Sequence, residues 1–76
     1  MFQYLPVEEE LFSPEFGPYT SFGIHIFRIT NAGREELGFL SDVSTDRAFV
    51  SALAGRCTQA QLDPVHLIDV VTDSLP

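Results

Sequence analysis

The sequence contains no lysine and no tryptophan, and its basic side chains are four arginines that occur singly along the chain. Eleven acidic residues set the formal net charge at -7. Proteins that bind nucleic acids gather lysine and arginine on one face to neutralise phosphates, and docking onto an anionic membrane needs a similar basic cluster. The composition therefore argues against a nucleic-acid partner and against a membrane partner. The acidic excess favours solubility, with attraction to a basic partner as the alternative.

Cysteine and long hydrophobic runs are also scarce. Cys57 is the single cysteine, so no disulfide can form within the chain, as is typical of the reducing cytoplasm. No run approaches about 18 apolar residues, the length that a membrane-spanning helix needs. The segment from Met1 to Glu10 lacks the basic and apolar stretches of a signal peptide. These absences predict a cytoplasmic protein.

Motifs with recognisable chemistry are absent as well. The sequence has no phosphate-binding glycine loop, no zinc-ligand spacing and no GxSxG nucleophile motif. We therefore expect no cofactor and no enzymatic activity.

What the sequence does have is the composition of one globular domain covering residues 1–76. Its hydrophobic share is 45% and its charged share is 20%, which is typical of chains that fold. Seven phenylalanines and two tyrosines are many for so small a core. Surplus aromatic surface predicts contact with a protein partner or self-association, for example as a homodimer.

Strand patterns fill the first half of the chain. Phe2 to Leu11 contains Pro6 and three consecutive glutamates. Both features suit an edge strand, because proline donates no ladder hydrogen bond and charge discourages pairing with other chains. Ser13 to Pro18 predicts a turn. Thr20 to Thr30 is rich in β-branched and aromatic residues with two-residue alternation, which predicts the central strand.

A hairpin joins this strand to a third one. Asn31, Ala32 and Gly33 predict its loop, since glycine readily adopts the left-handed backbone conformation. Glu35 to Val43 predicts the returning strand. By alternation, we expect its inward-facing side chains to be Leu37, Phe39 and Val43.

Helix signals follow the strands. Ser44 predicts an N-cap, and the first helix should run from Thr45 to Arg56 with an inner stripe of Phe49, Ala52, Leu53 and Cys57. Asp63 followed by Pro64 predicts the start of a second helix, whose apolar side chains are Leu67, Ile68, Val71 and Leu75. The sequence thus predicts an α+β fold, a three-stranded antiparallel sheet with two C-terminal helices packed on one face (βββαα).

One group of polar residues lies on the predicted second helix. His66, Asp69 and Asp73 recur at helical spacing and share its polar face. Nitrogen and oxygen ligands of this kind suit a divalent metal, or they poise the imidazole as a base. The alternative is an ordinary solvated helix face, which has the same pattern. A small metal- or ligand-responsive domain is therefore our second functional hypothesis.

The central strand supplies the first hypothesis. Its core-facing residues are Phe22, Ile24 and Ile26. The opposite face is not wholly polar, which predicts a partner-binding surface formed by His25, Phe27 and Ile29. The alternative is apolar residues scattered on an ordinary surface. We expect a non-enzymatic protein–protein interaction or regulatory module that binds through this face or through its edge strand.

Three segments of the sequence are similar to segments of a known protein family. Tyr19-Thr20-Ser21-Phe22-Gly23-Ile24 enters the central strand, Val43-Ser44 precedes the first helix, and the second helix contains Leu62-x-Pro64-x-His66-Leu67-x-Asp69-Val70-Val71-x-Asp73. In these segments the chain resembles, from Tyr19 onward, a family of short, uncharacterised bacterial proteins known as a domain of unknown function. The resemblance implies a bacterial cytoplasmic domain, and it implies no activity and no site.

Overall fold

The computed structural model describes residues 1–75. Three strands, β1 (Phe2–Ser13), β2 (Gly17–Thr30) and β3 (Gly33–Ser44), form one antiparallel sheet in the order β1-β2-β3. The helix α1 (Arg47–Gln59) comes next, and a 3-10 turn (Pro64–His66) leads into α2 (Leu67–Ser74). This confirms the predicted α+β fold, with three antiparallel strands followed by two C-terminal helices.

Tight turns make the strands longer than the sequence pattern indicated. β1 and β2 remain paired as far as Ser13 opposite Gly17, and β2 and β3 begin their pairing at Thr30 opposite Gly33. Both glycines have positive φ, 78° for Gly17 and 126° for Gly33, a conformation that glycine adopts without steric cost. The positive φ predicted for Gly33 is therefore confirmed, although Gly33 is the first residue of β3 and not part of the loop.

The core lies between one face of the sheet and the two helices. β2 supplies its centre, with Ile24 fully buried beside Phe22 and Ile26. The other members come from β1, β3 and the helices: Tyr4, Val43, Val50, Leu53, Ala54, Cys57, Leu67 and Val71. Three strands with one apolar face need such a cover to be stable in water.

The start and the inner stripe of α1 differ from the prediction. Asp46, not Ser44, is the N-cap, and its carboxylate accepts a hydrogen bond from the Phe49 amide at 3.1 Å. Ser44 is still paired with Phe22 in the sheet, so the helix cannot begin there. Leu53 and Cys57 are buried as expected, while Ala52 is exposed and Val50 is buried in the inner stripe instead.

The predicted start of the second helix, Asp63 followed by Pro64, begins a 3-10 turn, and α2 itself starts three residues later at Leu67. The Asp63 carboxylate accepts a hydrogen bond from the Val65 amide at 3.1 Å, and Pro64 occupies the first position of the 3-10 turn. Leu67 and Val71 are buried. The other two predicted apolar side chains, those of Ile68 and Leu75, are exposed, so α2 contacts the core through a narrow stripe.

The alternation of β3 is broken by two irregularities. One falls at Leu37, between the pairs of Ile26 and Phe27, and the other falls where Gly23 passes the segment between Leu40 and Ser44. Each extra residue in a β-bulge reverses the faces of those that follow. Leu37 and Val43 face the core as expected, but Phe39 lies on the opposite face, so its predicted orientation was wrong.

Side chains of α1 and the link after it close part of the β1 edge. Thr58 Oγ1 accepts from the Tyr4 amide at 2.9 Å and lies 3.2 Å from the Tyr4 carbonyl. The Gln61 side-chain amide pairs with both backbone groups of Phe2 at 2.8 and 3.0 Å. The backbone of Pro6 faces the same edge as those of Phe2 and Tyr4, but proline has no N–H group to donate. The predicted edge position of β1 is confirmed, and addition of a further strand to this end of it is disfavoured.

Candidate interaction surface

The face of the sheet that points away from the helices is the strongest candidate site, and we call it the outer face. It is formed on β2 by His25, Phe27 and Ile29, because side chains alternate along a strand. Leu5 and Val7 of β1 lie opposite His25 and Gly23 and are half-buried. Directly opposed residues share a face, so apolar side chains of two strands meet on this uncovered side.

Aromatic rings form the middle of the outer face. The His25 ring lies between two phenylalanines in edge contacts, with centroids 5.3 Å from Phe27 and 4.8 Å from Phe39. Such edge contacts are a favourable geometry for aromatic pairs. The Arg34 guanidinium lies 4.3 Å above the Phe27 ring, and Glu36 is 3.8 Å from His25 Nε2. The cluster is therefore aromatic at its centre and charged at one margin.

Gly23 makes room for this cluster. A Cβ atom added to Gly23 would lie 2.9 Å from the Phe39 ring and 2.5 Å from the Leu40 carbonyl oxygen. Both distances are too short for real contacts, so only glycine fits at this position without displacement. The Phe39 ring thus lies over the glycine backbone, where it remains 41% exposed.

The three predicted partner-binding residues share the outer face but differ in exposure. The His25 side chain is 33% exposed and Ile29 is half-buried. Phe27 is only 9% exposed although no helix covers it, because Arg34 and His25 pack against its ring. On the outer face, the main aromatic surface available to a partner is therefore Phe39, which sequence reasoning missed because the bulge at Leu37 leaves no sequence signal.

A polar network borders the aromatic cluster on the outer face. The Glu9 carboxylate reaches across β2 and accepts hydrogen bonds from Ser41 Oγ and the Asp42 amide, both at 2.8 Å. The Asp42 carboxylate accepts from Ser21 Oγ and, at 2.9 Å, from Tyr19 Oη. The hydrogen bond to Asp42 is the main cause that raises the pKa of Tyr19. The network fixes the second irregularity of β3, where Asp42 has a φ of 53°.

The polar residues proposed for a metal lie elsewhere, on the exposed side of the second helix. His66 ends the 3-10 turn and occupies the N-cap position of α2, while Asp69 and Asp73 belong to the helix itself. Because His66 precedes the helix, the helical spacing that the sequence suggested does not hold for all three. Within residues 1–75, no group of three His, Cys, Asp or Glu side chains is placed to hold a metal ion.

Comparison with known protein families identifies a family for this chain. The model of a family described as Family of unknown function (DUF6514) matches residues 1–76. Searches of curated proteins and of solved structures returned no match. In residues 1–75, neither helix combines the length and the apolar character that a membrane-crossing helix requires.

Proposed function

The chain belongs to the DUF6514 family of unknown function, and we propose that it is a non-enzymatic protein interaction module that binds a protein partner through the outer face. The observation that carries this proposal is the exposed aromatic surface at Phe39 and His25 on a face that no helix covers. Exposed aromatic patches on small soluble domains are typical of binding surfaces.

The size of the outer face supports this function. Its strands contain 12 to 14 residues, and the longest dimension of the molecule is 45 Å. Three strands of that length present roughly 600 Å² of flat sheet, given a spacing of about 4.8 Å between strands plus side-chain width. Standard interfaces bury about 800 Å² on each partner. A contact that uses most of the face and its margins reaches this range.

The order already present on the outer face also favours binding. The Arg34 guanidinium packs over the Phe27 ring. The Phe39 ring contacts His25 and lies over Gly23, which has no side chain to displace it. Side chains that are ordered before binding lose less conformational entropy when a partner arrives. We propose that the protein is located in the bacterial cytoplasm. Its one cysteine is free and buried, which is typical of proteins in a reducing compartment.

The proposal is tested with the tagged chain and an extract of its native host. Ile29→Asp places a charge on the outer face, and Ile68→Asp places the same charge on the exposed side of α2 as a matched control. A protein retained by the wild type and by Ile68→Asp, and lost from Ile29→Asp that still unfolds cooperatively, supports the proposal. Equal retention by both variants contradicts it. Light scattering on the purified chain establishes whether a second copy is the partner.

A further inference from the structure

A second exposed feature lies at the end of the sheet where β1 turns into β2, away from the aromatic cluster of the outer face. The last pair between β2 and β3 is Phe22 with Ser44, whereas β1 and β2 continue to pair from Glu9 with Ser21 to the turn. Glu9 and Ser21 still hydrogen-bond to β3, so the two-stranded projection, which we call the arm, comprises residues 10–20. The Tyr19 hydroxyl still links the arm to β3, through Asp42. Its tip has the two most exposed aromatic side chains among residues 1–75, Phe12 at 71% and Phe16 at 82%.

The fold gives no reason for these two phenylalanines. Neither belongs to the core cluster or packs against it. An exposed aromatic side chain on a projection contributes little to folding, so a polar residue would serve the monomer as well. Aromatic side chains that are exposed in the free protein and lie on a projection are typical anchors of protein interfaces, where they fill a pocket on the partner.

Hydrogen bonds within the turn order the backbone at Phe16. Ser13 Oγ accepts hydrogen bonds from the amides of Glu15 at 3.2 Å and Phe16 at 3.4 Å. Gly17, with a φ of 78°, then redirects the chain into β2. Below the turn, Thr20 Oγ1 donates to the Glu10 carboxylate at 3.0 Å and links the two strands. An anchor held in this way binds with a smaller entropic cost than one on a mobile loop.

The charge around the tip indicates the kind of partner. The arm includes Glu10 and Glu15 and no basic residue, while the neighbouring Glu9 carboxylate is bonded to β3. A second copy of this chain offers little to them, because it has no lysine and a net charge of -7. Of its four arginines, Arg47 is bound to Glu8 at 2.9 Å and Arg34 lies over Phe27. A surface of the opposite sign would attract the arm and fix its orientation.

We infer that the arm inserts Phe16 and Phe12 into an apolar pocket with a lysine- or arginine-rich rim on a different protein. This inference rests on the proposed function as an interaction module and adds a second contact surface to it. The aromatic side chains supply the buried contact, and the glutamates select a basic partner and speed its encounter.

The test places the photo-crosslinker p-benzoyl-L-phenylalanine at position 16 of the full chain in its native host, with position 68 on α2 as the control. Both sites are exposed, at 82% and 67%. We expect a crosslink from position 16, absent from position 68, to one protein whose crosslinked peptide lies beside basic residues. A crosslink to another copy of this chain, or equal yields at the two positions, would overturn the inference.

The captured protein is then purified and its affinity is measured with variants of the arm. Phe16→Ser should weaken binding at least roughly tenfold, as is usual for an aromatic anchor. Glu10→Gln with Glu15→Gln should weaken it about threefold at low salt and less at high salt, because salt screens exposed charges. Unchanged affinity in Phe16→Ser overturns the inference. If Ile29→Asp releases the protein and Phe16→Ser does not, the outer face alone is responsible and the arm inference fails by itself.

Discussion

Two isoleucines on β2 show how the faces of the sheet differ. Ile24 points toward the helices and is fully buried, whereas Ile29 points to the outer face and is only half-buried. Among residues 1–75, eleven buried residues from all five main elements pack between the inner face and the helices. On the outer face, the described strand side chains contact only one another. Stability thus comes mainly from the inner face, which leaves the outer face available for binding.

The largest expected effect is on stability, and it tests the difference between the two faces directly. Ile24→Ala should lower the free energy of unfolding by about 3 kcal/mol because it leaves a cavity in the core. Ile29→Ala, the same change on the outer face, should cost less than about 1 kcal/mol because water already reaches that side chain. Chemical denaturation of both variants measures the difference. Equal losses would mean that the outer face is part of the core.

A smaller effect on stability is expected at Gly23, where the Phe39 ring lies directly over the strand backbone. Gly23→Ala should lower the free energy of unfolding by about 2 kcal/mol, since the new methyl group meets both the Phe39 ring and the Leu40 carbonyl. Adding Phe39→Ala should restore part of that loss, because it removes only the ring. Thermal unfolding of the single and double variants checks this. Full recovery would show that the Leu40 contact is unimportant.

The inner face has its own signature in the pH dependence of stability. Burial raises the pKa of Tyr4 to about 12, with Cys57 and Asp63 contributing; an unfolded tyrosine titrates near pH 10. From pH 10 to 12 the unfolded chain loses a proton that the folded chain retains, so stability present below pH 10 decreases as the pH rises. The loss should reach roughly 2 kcal/mol near pH 12.

Tyr4→Phe separates this effect from other titrating groups. The variant loses the hydrogen bond from Tyr4 Oη to the Leu62 carbonyl, which should cost about 1 kcal/mol at neutral pH. It should also show a shallower fall in stability above pH 10 than the wild type in denaturation curves. Parallel curves for the two proteins would mean that Tyr4 ionises as easily in the folded chain as in the unfolded one.

The smallest effect is expected on the exposed side of α2. Because the structure does not bring His66, Asp69 and Asp73 into one metal-holding group, Zn²⁺, Mn²⁺ and Ni²⁺ should leave the melting temperature unchanged. A ligand that binds only the native state must stabilise it. An increase in melting temperature that is lost in His66→Ala would establish the metal-responsive alternative.

Sequence reasoning reached the parts of the fold in which local patterns agree with the tertiary structure. The alternation of β2 correctly separated Ile24 from His25, and Asp63 with Pro64 correctly marked the approach to α2. It failed where the backbone departs from regular geometry. Asp42 adopts a positive φ although it is not glycine, so the sequence contained no glycine that would have predicted the irregularity of β3 there.

The candidate surfaces show the same division. The outer face followed from the alternation of β2, but its most exposed aromatic side chain did not, since the bulge at Leu37 turned Phe39 away from the core. Phe16 lies inside the predicted turn and Phe12 just before it, but residue types alone do not show how much of a single side chain is exposed. The exposure of Phe12 and Phe16 depends on how far the helices extend over the sheet, which is a tertiary property.

The chain contains two histidines, and they allow the proposed function to be tested within one molecule. His25 lies on the outer face, and His66 is an exposed residue at the end of the 3-10 turn before α2. We would modify both imidazoles with diethyl pyrocarbonate in the purified chain and in the tagged chain after incubation with native-host extract, and compare the yields by mass spectrometry. Our account predicts that the extract protects His25 and leaves His66 as reactive as before. Equal reactivity of His25 with and without extract would contradict it.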